Sequence, residues 1–249
     1  MLQKCKLALQ DTAEEPPLIQ HLSLPHLSTF LLLNNSNQGI SHRFFRHLSL
    51  PNLRSFYLDS AYNVDLRKVI PSATLTERLH LDVEGLGCEN LLAALADMPL
   101  LQELALSAEP RSKEQVEEPN IWRHWKSAEG DKDFLGHLTP NGRGPDLCPL
   151  LRRVDLHLGL VSDEALLKFV QSRTGGGGTL SSVTATFHRR VQFDIIPHLR
   201  DTIASGLVVA LKYDEGPKLP TYSPLEGNTN PPVYMLRVEE DDPRIGWMD

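Results

Sequence analysis

A short apolar pattern, L-x-x-L-x-L, returns along this chain about every twenty-five residues. Its central position falls at Cys5, Phe30, Phe56, Leu79, Leu104, Val154, Val183 and Val209, with successive gaps of 25, 26, 23, 25, 50, 29 and 26 residues. A unit that short cannot bury its own apolar face. It must stack on the units before and after it, and the stack becomes a solenoid with one long open surface. The 50-residue gap is about two periods, so one repeat there reads as decayed or overwritten.

Within each unit the motif alternates apolar with mostly polar residues, the pattern of a half-buried strand. Four units enter the strand through a proline, Pro25, Pro51, Pro99 and Pro149. Proline disfavours helix in the residue before it, so each is expected to stop a return helix just ahead of the strand. Helical spacing follows several strands. Asn90–Ala96 is rich in good helix formers. The stretch 162–170 opens with Ser162 as N-cap and acids in its first turn, and Ala165, Leu166, Phe169 and Val170 share one face. Asp194 to Ile203 is expected to be helical with an early interruption at Pro197, Asp133 to Thr139 to form a return helix, and Arg43 to Leu48 a shorter one. The pattern predicts an α/β leucine-rich-repeat solenoid: a curved, horseshoe-like parallel sheet of about eight strands, with helices or turns on the convex side.

The expected division is a solenoid over 1–216 and an irregular tail or cap over 217–249. Residues 107–146 break the repeat with a charged, turn-rich insertion holding Trp122 and Trp125, a staple or a binding epitope. Cys5 already stands at a motif position, so the sheet is expected to open on an exposed edge and the chain to be either the C-terminal part of a longer ancestral product or a gene reading that starts late.

A net charge of −7 argues against nucleic acid or an anionic membrane as the main partner. No apolar run is long enough to span a bilayer, and the first ten residues lack the h-region of a signal peptide. Three widely spaced cysteines, Cys5, Cys88 and Cys148, fit a reducing compartment, so a cytoplasmic or nuclear location is expected. The ten histidines and these cysteines lack zinc-ligand spacing, and no metal or other cofactor is expected. Gly175–Gly178 lies after a helix and before a strand with no lysine following, so it reads as a flexible connector and not a phosphate loop. No nucleophile–base motif is present, and the chain is read as non-enzymatic.

The proline-led repeats (LP-HL, LP-NL, MP-LL, CP-LL), with the closing run CPLLRRVDLHLG, VSDEALLKFVQSR, TLSSVTATFHRRVQFDI and GLVVALKY, resemble the leucine-rich region of the F-box proteins of mushroom-forming fungi. The similarity covers most of residues 20–215. It implies the substrate-binding region of an SCF-type ubiquitin-ligase receptor. The F-box that would precede the repeats in that family has no counterpart here, so ligase subunits are expected as partners only of a longer form.

Residues between the motif leucines point to the open face of the sheet, because strand side chains alternate. They include Ser55, Asp59 and Asp82. Tyr57, Arg78, His80, Glu103, Arg153, Asp155 and His157 are the candidate contacts to an unknown client protein. Tyrosine and arginine are the side chains that anchor interfaces. The competing readings are a solvated face with no partner, a free-standing repeat scaffold or truncated decoy outside any ligase, a functionless truncated product, and a hydrolase or transferase with the insertion as a lid.

Overall fold

The computed structural model describes residues 2–9, 21–34, 45, 47–59, 65–70, 73–83, 86–107, 134–140, 146–157, 161–175, 178–187 and 189–213. The chain divides into two units, 1–214 and 215–249, and every described residue belongs to the first. The tail, the two insertion tryptophans and most of the charged insertion fall outside these residues.

The protein is α/β. In chain order its strands are β1 (Lys4–Leu9), β2 (Leu22–Ser23), β3 (Thr29–Asn34), β4 (Leu48–Ser49), β5 (Ser55–Asp59), β6 (Arg78–Asp82), β7 (Glu103–Ser107), β8 (Arg153–His157), β9 (Ser182–Phe187) and β10 (Val208–Tyr213). Eight of them form one open, parallel sheet in the order β1-β3-β5-β6-β7-β8-β9-β10. Each strand of this sheet therefore lies beside the one that precedes it in the sequence. The pairing aligns the motif: Cys5, Phe30, Phe56, Leu79, Leu104, Val154, Val183 and Val209 form one continuous row of register partners. A period of two within each strand sends this row and its neighbour two residues on into the core. Leu32, Leu79, Val154, Leu156, Val183 and Ala185 are fully buried.

One carbonyl before each strand ties successive units together. The carbonyls of Gln3, Ser28, Arg54, Glu77, Gln102 and Arg152 each accept from two consecutive amides of the next unit, at 2.8–3.1 Å. The prolines act one step earlier than expected. In Leu24-Pro25, Leu50-Pro51, Met98-Pro99 and Cys148-Pro149 the residue before proline accepts from the amide of a leucine three residues on, Leu27, Leu53, Leu101 or Leu151. This is a β-turn with proline in its preferred second place, and it drives each of those leucines fully or almost fully into the core. Only Pro99 closely follows a described helix. Pro25 and Pro51 follow β2 and β4, a two-stranded parallel sheet that the periodicity does not announce.

The return segments carry α1 (Leu66–Val69), α2 (Cys88–Ala96), α3 (Phe134–Leu138), α4 (Asp163–Thr174) and α5 (Arg200–Ala204). Their buried residues, among them Leu66, Leu91, Leu95, Leu135, Leu166 and Phe169, join the inward strand residues in one core. Ser162 caps α4 as expected, its Oγ accepting from Ala165 N at 3.2 Å.

The 50-residue gap adds no strand to the main sheet, as expected of a decayed or overwritten repeat, because Leu104 pairs directly with Val154. The return helix expected at 133–139 is α3, which packs on α4. Other expectations are corrected. Of the expected 43–48 return, Phe45 is helical but Leu48 and Ser49 are strand. The 194–203 helix is a 3₁₀ turn, Ile196–Leu199, followed by α5, since Pro197 has no amide for an internal helical bond. Cys5 is only half-buried, because β1 has a neighbour on one side alone. Gly178 is more than a connector: a Cβ there would lie 1.7 Å from the Arg173 carbonyl oxygen, so only glycine fits that approach.

Candidate functional site

The strand register gathers all seven candidate residues on one face of four adjacent strands. Tyr57 is the third residue of β5, and Arg78 and His80 are the first and third of β6. Glu103 opens β7, and Arg153, Asp155 and His157 are the first, third and fifth of β8. Direct register partners place Tyr57 beside His80 and set Glu103 between Arg78 and Arg153. Ser55, expected on the same face, is buried at 7% exposure.

Three local contacts organise this patch. The Tyr57 and His80 rings meet at 4.4 Å with a 56° tilt. Glu103 is shared by two guanidiniums, its Oε2 lying 3.5 Å from Arg78 Nε and its Oε1 3.5 Å from Arg153 Nη1. His157 Nε2 lies 3.2 Å from Asp155 Oδ1, at ion-pair distance but outside hydrogen-bond geometry. Burial lowers the His80 pKa, while the Glu103 and Asp155 carboxylates pull it upward and Arg78 pushes it down. The net direction is down, so His80 is a neutral ring beside Tyr57 at pH 7. The arginine side chains are 52% and 62% exposed. Each has donors left over after one long contact to Glu103.

A second polar cluster escaped the sequence reading. Asp163, first residue of α4 and 1% exposed, is surrounded by donors. Arg189 Nη2 and Tyr213 Oη donate to its Oδ1 at 2.8 and 2.9 Å. Arg189 Nη1 donates to Oδ2 at 3.2 Å, and the amides of Gln192 and Phe193 do so at 2.9 Å. The Arg189 guanidinium also lies 4.6 Å from the centre of the Phe187 ring. Burial raises the Asp163 pKa, but these donors outweigh it and bring the carboxyl down to about 2. Every lone-pair direction is used, so this cluster is saturated and offers nothing to a ligand. An acid in a first helical turn reads as a dipole effect. Nothing in spacing links it to Arg189 and Tyr213, 26 and 50 residues away.

Arg173, 4% exposed, is a third case. Its Nε donates to the Leu138 carbonyl at 2.8 Å and its Nη1 to the Cys148 carbonyl at 3.0 Å, while Nη2 serves Leu138 and Leu147. One side chain at the end of α4 thus holds the backbone on both sides of 139–146. Cys148 is strained in a left-handed conformation at φ 49°, and burial pushes its thiol up to about 12. That thiol is not a nucleophile at neutral pH.

Among the described residues no group of three or more His, Cys, Asp or Glu could hold a metal ion, and no helix is long and apolar enough to cross a membrane. No disulfide joins the three cysteines. Comparison with family models, with curated proteins and with solved structures finds no match. The class that the fold and the patch define is therefore an α/β protein with an open eight-stranded parallel sheet and a polar face.

Proposed function

We propose that this chain is a leucine-rich-repeat solenoid that recognises a client protein through the open face of its sheet, without catalysis. The observation that carries the reading is the gathering of Tyr57, Arg78, His80, Glu103, Arg153, Asp155 and His157 on four adjacent strands of that face. An aromatic pair on β5 and β6 with exposed arginines on β6 and β8 has the composition of an interface anchor. The resemblance to fungal F-box proteins makes the finer proposal the substrate-binding region of an SCF ubiquitin-ligase receptor in the cytoplasm or nucleus. Ligase subunits would join through an F-box carried by a longer form.

The test is quantitative co-precipitation from cells in which the chain carries Tyr57→Ala, Arg78→Ala and Arg153→Ala together. The expected outcome is loss of the partners that the unaltered chain retains; unchanged partners would sink the reading. Peptides from upstream of Met1, recovered with the cullin scaffold and its adaptor, would support the ligase role. A client retained without ligase subunits would favour a free-standing scaffold or decoy.

A further inference from the structure

Charge is unevenly spread over the open face, and the asymmetry points to the chemistry of the partner; this step rests on the recognition reading above. The first residues of the eight sheet strands include Lys4, Arg78 and Arg153 against one carboxylate, Glu103. The residues just before them add Arg54 and Arg152 against Glu77, which takes the Arg54 guanidinium at 2.6 Å. Five cations against two carboxylates leave three positive charges along this side, on a chain whose total is −7. The fifth strand position carries the opposite sign over the middle of the sheet, with Asp59 on β5 and Asp82 on β6, and a single cation, Lys212, at the β10 edge. The two sides are about 13 Å apart, four residues at roughly 3.3 Å each. Between them lie the Tyr57–His80 pair and Asp155.

We propose that the open face binds an acidic polypeptide segment, rich in Asp and Glu, along the strand-start side. Arg78 and Arg153 take its carboxylates. Each guanidinium spends one long, half-exposed contact on Glu103, and an incoming carboxylate can form the shorter, forked pair that arginine favours. Arg152, exposed at the rim, adds attraction without a direct role in position. The tilted Tyr57–His80 pair supplies a neutral aromatic contact for the segment's apolar side chains. Asp59, Asp82 and Asp155 repel a continuous polyanion, which is why a peptide with spaced charges fits and a nucleic acid does not.

Random peptides displayed against the whole chain test this directly. Enriched peptides should carry an excess of Asp and Glu. Their affinity should fall at least tenfold in the Arg78→Gln, Arg153→Gln double variant, fall with added salt, and stay within twofold in Lys168→Gln, a change on the helical side. Neutral or basic peptides that enrich and lose binding on Tyr57→Ala would overturn the acidic assignment and leave the recognition face standing. A single-stranded RNA oligomer that binds more tightly than the acidic peptides would overturn it in favour of a nucleic-acid partner. A selection that enriches no peptide would sink the acidic-segment proposal, while the co-precipitation above decides the recognition reading by itself.

Discussion

Two of the places where arginine meets carboxylate in this molecule, Asp163 and Glu103, give the same chemistry opposite uses. At Asp163 the carboxylate is 1% exposed and takes five hydrogen bonds, two from Arg189, two from backbone amides and one from Tyr213. At Glu103 two arginines approach at 3.5 Å from half-exposed positions. A buried, saturated pair cannot exchange its partner without leaving a charge stranded, so it fixes structure. An exposed, loosely made one contributes little to stability and gives up its contacts cheaply. Saturation, more than residue type, separates what holds this fold from what is open to a client.

The sharpest way to break that contrast is Asp163→Ala. It strands the Arg189 guanidinium, two amides and the Tyr213 hydroxyl where α4, the 189–193 segment and β10 meet. The expected loss is about 3–5 kcal/mol, read by urea unfolding. A loss below about 1 kcal/mol would mean that the cluster is not the clamp its geometry indicates. Acid should do the same reversibly. The folded-state pKa of Asp163, about 2, lies below its ordinary 3.8, so its stabilisation is complete above that ordinary value and disappears as pH falls through about 2. Unfolding curves at pH 5 and pH 2 should differ by about 2 kcal/mol more in the unaltered chain than in Asp163→Ala.

Arg173→Met comes next. The methionine keeps most of the apolar stem but leaves the carbonyls of Leu138, Leu147 and Cys148 without their donor. A cost of about 2–3 kcal/mol is expected from buried acceptors left unpaired. Protection of the α3 and α4 amides from hydrogen exchange should fall with it. Unchanged exchange there would show that the return segment closes without the arginine.

These two clusters mark where the sequence stopped being legible. The repeat could be read because its signal is periodic. The eight central positions are the ones that the sheet aligns, and strand alternation alone put Tyr57, Arg78, His80, Glu103, Arg153, Asp155 and His157 on one face. Asp163, Arg173, Arg189 and Tyr213 follow no period. Each looks ordinary alone: an acid opening a helix, an arginine closing it, an arginine in a loop, a tyrosine ending a strand. Their meaning comes from long-range neighbours. The doubled gap stayed legible because a missed period is itself a periodic signal, and β7 pairs directly with β8.

Thr76 shows the core rule in reverse. It stands three residues before Leu79, where Leu27, Leu53, Leu101, Leu151 and Leu180 stand before their own strands, and it is fully buried with no partner for Oγ1. A buried hydroxyl without a hydrogen bond costs more than the methyl that would replace it. Thr76→Val should therefore stabilise the chain by about 1 kcal/mol in the same unfolding assay. A destabilisation would mean that the hydroxyl has a partner after all.

The smallest effect is expected where the proposed function is concentrated. Replacing Arg78 and Arg153 together by glutamine removes both contacts to Glu103, yet the contacts are long, exposed and screened by salt, so unfolding should shift by less than about 1 kcal/mol. Glu103, 27% exposed along its side chain, loses both contacts, and His80 loses the push of Arg78, but neither group is sealed from water. A shift as large as that of Asp163→Ala would make the Arg78–Glu103–Arg153 row a second structural clamp. Its arginines would then no longer be free to exchange Glu103 for a client's carboxylates. A small shift together with lost peptide binding would separate stability from recognition on the same sheet.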